Sequence, residues 1–186
     1  MNAVIEALLN RSSEPRLTSP GPTRSHLEQA FNCASRAPDH ALLRPWRYIV
    51  VEGDARGELA EALVNAAADD ATGEPVNLDK LRQAPLRAPT VIVGIAVIKP
   101  HPKVPKIEQI MSAASGMAYL VLALQSLGYG AMWRSGSIAH SANLRAQLGL
   151  GDNERITGFL YTGTVVDPKP SVPRPEVDSF VSYWQG

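Results

Sequence analysis

Residues 109–133 read QIMSAASGMAYLVLALQSLGYGAMW, a run with no charged side chain. By length alone such a run could cross a bilayer. Gln109, Ser112, Ser115, Gln125 and Ser126 interrupt it, however, and Gly128 and Gly130 break the helix before it reaches full spanning length. The stretch is therefore read as a core helix over about 106–127 rather than a membrane span. A helix apolar on every side, in a chain of 186 residues, asks for more cover than one small domain provides. A second subunit is expected against it, and with it an oligomer.

Working outward, Thr90–Ile98 (TVIVGIAVI) is a continuous apolar run, as expected of a strand covered on both faces. Arg47–Glu52, Gly130–Arg134 and Gly158–Val166 read as further strands. Helices are expected over residues 1–9, from a Thr23 cap to Pro38, over 55–68, over 78–83, and after a Ser141 cap. Leu27, Ala30, Phe31 and Ala34 form the apolar stripe of the second of these. Asp69–Asn77 reads as an irregular loop. Helices alternating with strands indicate an α+β layer architecture in one domain, residues 1–186. The tail, about 167–186, opens with prolines at 168, 170, 173 and 175. Its Phe180, Tyr183 and Trp184 are expected to pack on a neighbouring surface, a partner subunit included.

Composition narrows the function. Eighteen basic residues balance 18 acidic ones, so no broad electrostatic case exists for nucleic acid or an anionic membrane as partner. The single cysteine, Cys33, forbids an internal disulfide and a multi-cysteine metal site, and it reads as a small core residue. The opening residues lack the basic-then-apolar layout of a secretory signal, so a reducing, cytoplasmic setting is expected. The four histidines (26, 40, 101, 140) have no metal-ligand spacing, and no Walker, GxGxxG, CxxC, HExxH or GxSxG pattern is present. Gly128-Tyr129-Gly130 reads as a helix-ending turn.

Three polar islands remain. Arg11-Ser12-Ser13, with Arg16 nearby, offers a guanidinium, hydroxyls and turn N–H groups that suit a phosphate; a solvated turn is the alternative. Arg36-Ala37-Pro38-Asp39-His40, continuing to Arg44-Pro45-Trp46, gathers cations at a helix C-terminus. It fits a planar ligand or simple helix-end electrostatics. Trp133-Arg134-Ser135-Gly136 carries the first charge after the apolar run, which an anionic ligand or a structural carboxylate would balance.

Taken in order, these islands, with Lys103-Val104-Pro105 and Gly158-Phe159-Leu160-Tyr161-x-Gly163-Thr164, resemble the FMN-dependent nitroreductase family, its small single-domain NAD(P)H members above all. The resemblance implies an α+β sheet sandwiched by helices, in a homodimer with the long apolar helix in the dimer core. It implies one FMN in each of two shared clefts, with Arg11, Ser12 and Ser13 at the phosphate and ribityl end. Arg134, with Trp133 and Ser135, would come to the same end, and Arg36 and His40 would reach the flavin from the other subunit. Ala123, Leu124, Gln125, Ser126, Leu127 and Gly128 match a segment associated with the nicotinamide nucleotide. The chain departs from the pattern at Ser12, where many members have a second arginine, and at Ile107, where close relatives have an aromatic residue.

The implied chemistry is transfer of electrons from NADH or NADPH, through the flavin, to an electron-poor acceptor such as a nitroaromatic or quinone, in a ping-pong scheme. Another reductive or dehydrogenating reaction on the same scaffold, or a non-catalytic flavin-binding or sensing dimer, fits the same residues.

Overall fold

The sheet is organised around its longest strand, β5 (Glu154–Val165), in a computed structural model that describes residues 2–69, 76–170 and 172–186. The strand β3 (Thr90–Val97) lies along β5, and β2 (Trp46–Glu52) lies along β3. The strand β4 (Gly130–Arg134) and the two-residue β1 (Leu17–Thr18) also pair with β5. Every pairing is antiparallel. The β3–β5 register shifts between Gly94 and Ile95, opposite Gly158, whose φ of +142° only glycine adopts comfortably.

Helices cover both faces. On one lie α2 (Arg24–Ala34) and α5 (Lys106–Ser126), whose Leu27, Ala30, Met117, Leu120 and Leu124 pack with Ile92 and Leu160 of the sheet. On the other lie α3 (Ala55–Asp69) and α6 (Ala142–Gln147), whose Leu59, Leu63 and Leu144 meet Val91, Val93, Ile95, Phe159 and Tyr161. The alternation Val91–Ile92–Val93 thus feeds two cores from one strand, which is why that run carries no polar residue. Each fully buried Leu or Met contributes roughly 1.5–3 kcal/mol of transfer free energy.

Side-chain caps set the helix starts. Asn2 caps α1 (Ala3–Asn10), Thr23 caps α2, Asn77 caps α4 (Leu78–Gln83) and Ser141 caps α6, each accepting a backbone N–H at 2.9–3.2 Å. The helix α5 ends in a Schellman turn. Gly128, at φ +89°, donates its N–H to Gln125 O (3.0 Å), and Tyr129 N–H reaches Leu124 O (3.0 Å). The helix-ending reading of Gly128-Tyr129-Gly130 is therefore correct.

The long helix is long and apolar enough to cross a membrane by length and composition. Eight of its residues, from Gln109 to Leu124, are instead buried against α2 and the sheet. The opposite side carries Ile107 (60% exposed), Met111 (61%), Ala114, Ala118 and Leu122 in one stripe of three- and four-residue steps. The helix α1 is also open, with Val4, Ile5, Leu8 and Leu9 each more than half exposed.

Two expectations need correction. Strand β5 begins at Glu154, four residues before Gly158, because the glycine is accommodated as an irregularity inside the strand. Cys33 is exposed, not in the core, since the buried stripe of α2 runs through Leu27, Ala30 and Ala34. The aromatic tail finds no apolar cover within the protomer: Phe180, Tyr183 and Trp184 are 67%, 80% and 93% exposed. Of the loop expected at 69–77, residues 70–75 lie outside the described residues.

Candidate functional site

Arg11 and Ser12 sit where the chain leaves α1 and passes the end of α5. Glu14 N–H donates to Ala131 O (3.1 Å), laying this turn against the start of β4. Gln125, in the last turn of α5, donates Nε2–H to Ser12 O at 2.6 Å. Its other amide atom, Oε1, is buried without a partner among the described residues. Arg11 Nη1 donates to Ser13 Oγ (3.3 Å), and the Ser12 hydroxyl donates to Glu14. Together Arg11, Ser12, Gln125, Ser126 and Gly128 border a hollow of about 520 Å³.

The C-terminal tail is tied to this same turn. Arg16 pairs with Asp167 (2.7 Å), Lys169 N–H donates to Glu14 Oε2 (3.0 Å), and Arg174 Nη2 donates to Arg11 O (3.0 Å) and Leu9 O (3.3 Å). Arg174 thus brings a second guanidinium to the turn that holds Arg11 and Ser12. The only sequence signal for it is a lone arginine between Pro173 and Pro175.

Arg134 and Ser135 do not reach that turn. On β4 the side chains alternate, and Arg134 lies on the sheet face that carries α3 and α6, its guanidinium 5.8 Å from the Tyr161 ring centroid. There it borders a second hollow, of about 760 Å³, with Ser135, Gly136, Lys80 and Arg87. Within one chain Arg11 and Arg134 line separate hollows, because β4 runs between them: Gly130 lines the first hollow and Arg134 the second. Four residues of strand separate these by about 13 Å. Trp133 points to the opposite face. Its indole N–H, the only donor on the ring, is engaged by Thr157 O at 3.1 Å, and the ring fills the space above Gly158.

Arg36 and His40 occupy a third place. Ser112 Oγ donates to Pro38 O (2.6 Å), and His40 Nδ1 lies 2.8 Å from Glu108 Oε2, so this segment is docked on the first half of α5. The backbone beyond it is strained: Ala41, Leu42 and Arg44 have φ of 62°, 53° and 48°. Asp39 holds that loop by accepting the N–H groups of Leu43 (3.2 Å) and Arg44 (2.7 Å). Non-glycine residues held at positive φ cost of order 1–3 kcal/mol each and cluster at functional sites. Arg36 is exposed and makes no ion pair among the described residues. Glu108 and Gln125 lie 17 residues apart on α5, about 25 Å along its axis, so within one protomer Arg36 and His40 are far from the Arg11 turn.

Of the segment 123–128, Gln125, Ser126 and Gly128 line the first hollow. Leu124 does not; it is fully buried in the core, and Ala123 packs against that core. No group of three or more metal-ligating side chains is present among the described residues.

This architecture has known counterparts. A sequence model of the nitroreductase family matches residues 9–164, which holds all three polar islands. The chain belongs to the nitroreductase family. It is 36% identical over 181 residues to the Escherichia coli (strain K12) protein named "Putative NAD(P)H nitroreductase YdjA", covering 97% of this chain and 98% of that one. The fold matches a crystal structure of a nitroreductase-like family protein from Bacillus cereus, with TM-score 0.84 and 20% identity over 100% of this chain and 98% of that one. It also matches the crystal structure of "a putative nitroreductase in complex with fmn" from Desulfovibrio desulfuricans, with TM-score 0.77 and 18% identity over 98% of both chains. The α+β sandwich expected from the sequence is thus the nitroreductase fold. The tail beyond residue 164, with Arg174, lies outside the matched family region.

Proposed function

We propose that this nitroreductase-family chain is an FMN-dependent oxidoreductase. It passes electrons from NADH or NADPH, in a ping-pong scheme, to an electron-poor acceptor such as a nitroaromatic or quinone. It works as a cytoplasmic homodimer whose two sites are each built from both subunits. The observation that carries this reading is the division of the polar groups between the two ends of α5, beneath an exposed apolar stripe. Two copies packed antiparallel through Ile107, Met111, Ala114, Ala118 and Leu122 bury that stripe. The same packing brings Arg36 and His40 of one copy to the Arg11 turn of the other.

The residues fit FMN. The Arg11 turn supplies a guanidinium, hydroxyls and backbone N–H groups for a phosphate dianion, with Arg174 as a second cation. Two carboxylates line the hollow there, Glu6 and Glu14, and both Glu14 oxygens are engaged, by Ser12 and by Lys169 N–H. The orphaned Gln125 Oε1 asks for a donor, which a ribityl hydroxyl provides. When bound, FMN supplies two-electron chemistry, taking a hydride from the nicotinamide nucleotide and delivering it to the acceptor. The chain then needs no side-chain nucleophile. Arg36, Arg134 and the Ser135–Gly136 backbone hold negative charge that builds up on the bound ring system.

The test is the absorbance spectrum of the purified protein and the identity of any chromophore released by heat. Flavin bands and a released species that comigrates with FMN support the reading. A colourless protein that takes up no added FMN overturns it.

A further inference from the structure

The hollow around Arg134 is more than a cofactor wall needs. Three cations from separate elements border it: Lys80 of α4, Arg87 ahead of β3, and Arg134 of β4. No acidic side chain among the described residues lines it, and none forms an ion pair with any of the three. The contrast with neighbouring guanidiniums is sharp. Arg82, two residues from Lys80, is paired with Glu61 at 3.0 Å, and Arg47 is paired twice with Glu154. Among the described residues, three cations from separate elements thus border one hollow without a carboxylate partner.

Two of the cations flank one aromatic ring: Arg134 lies 5.8 Å from the Tyr161 centroid, and Arg87 borders the same hollow. Burial pushes the Tyr161 phenol above its ordinary range, while Arg134 and Arg87 pull it back down. The floor is apolar and partly aromatic, formed by Leu63, Leu81, Ile138, Phe159 and Tyr161. At about 760 Å³ the hollow falls within the range of small-molecule sites. Such a floor with a cationic rim suits a molecule with a flat apolar body and an anionic group at one edge.

We propose that the hollow bordered by Lys80, Arg87 and Arg134 selects an anionic electron acceptor, an aromatic carboxylate, with Lys80 and Arg87 as the residues that read its charge. The proposal rests on the flavoprotein reading above and narrows its acceptor class. Arg134 borders both the cofactor and the acceptor. Lys80 and Arg87 have no part in cofactor binding.

The experiment is equilibrium binding of 4-nitrobenzoate and 4-nitrobenzamide to the FMN-loaded protein by calorimetry, without reductant. The two probes share a ring and a nitro group and differ in charge. The acid is expected to bind at least about tenfold tighter than the amide, since charge-assisted hydrogen bonds exceed neutral ones by that order. Lys80→Met and Arg87→Met, both at exposed positions, are each expected to lose about tenfold for the acid, leaving amide affinity and FMN content unchanged. Equal affinity of the wild-type protein for both probes overturns the proposal. Variants that shed FMN while keeping the acid-to-amide ratio also overturn it, by assigning the cations to the cofactor. Variants that weaken NADP+ relative to NAD+ but leave the acid unaffected overturn it in favour of a nucleotide phosphate. If the protein takes up no FMN, the same titrations on the unloaded chain still decide the charge preference, so the two readings fail separately.

Discussion

Gly158 couples the sheet to the candidate site, and replacing it with alanine should damage both. Its φ is +142°, and a Cβ there would lie 2.7 Å from Arg134 O and 2.8 Å from Trp133 Cδ1, closer than real Cβ contacts approach. The backbone strain costs about 1–3 kcal/mol. Displacing the Trp133 ring and the end of β4 adds about 1–3 kcal/mol of overpacking. The expected loss for Gly158→Ala is therefore about 2–6 kcal/mol. Gly149 is the internal control: its φ is +63°, but no atom lies within 4 Å of a Cβ built on it. Gly149→Ala should cost only the left-handed backbone term, about 1–2 kcal/mol. Urea unfolding of both variants at one fixed protein concentration measures the difference. Because β4 ends at Arg134, FMN retention should fall in Gly158→Ala and hold in Gly149→Ala. Equal destabilisation of the two variants would refute the argument that Gly158 is required by the Trp133 and Arg134 contacts.

Other expectations follow from individual contacts. The Arg47 hydrogen bonds hold the Glu154 carboxyl below the usual carboxylate range, and the pair is 2.5 and 2.8 Å long with Glu154 almost fully covered. Because the Arg47 side chain is 40% exposed, the buried-pair cost is discounted, and Glu154→Gln should lose about 1–2 kcal/mol at neutral pH. A depressed carboxyl stabilises above its unfolded pKa and loses that contribution as pH falls through the folded value. The wild-type protein should therefore lose its advantage over the variant below about pH 4, in unfolding curves taken across the acid range. Arg134→Ala should weaken FMN by about 1.5–3 kcal/mol, roughly 10- to 100-fold, in a fluorescence titration; unchanged affinity would remove Arg134 from the site. Met111→Arg, on the exposed stripe of α5, should yield monomers by light scattering at micromolar concentration, with FMN lost alongside.

Much of this was legible because local signals and burial agreed. Thr23 and Ser141 are caps, Pro105 and Gly128 bracket α5, and the unbroken run at 90–97 is the central strand that feeds both cores. Legibility failed where the answer depends on contacts distant in sequence. Nothing near Gly158 states that its strand continues back to Glu154; that follows from pairing with β3 across an irregular register. Cys33 sits one residue from the buried Ala34, too fine a step for a periodicity argument to resolve. For the site, the three islands were readable as charges in apolar surroundings, but their placement was not. The strand β4 divides Arg11 from Arg134, and the length of α5 divides Arg11 from Arg36, so proximity in motif order does not become proximity in one protomer. Arg174 was invisible because its partners are backbone carbonyls, which leave no trace in side-chain patterns.

If each site draws Arg11 from one subunit and Arg36 from the other, mixing subunits of two variants reveals it. Arg11→Ala and Arg36→Ala homodimers should each lose FMN, since every site is damaged in both. In a mixed dimer of the two variants, one site collects both substitutions and the other collects neither. Mixing should therefore restore one tightly bound FMN per dimer. If both residues serve the site of their own subunit, every site in the mixed dimer remains damaged, and mixing that restores no FMN would contradict the shared-site account.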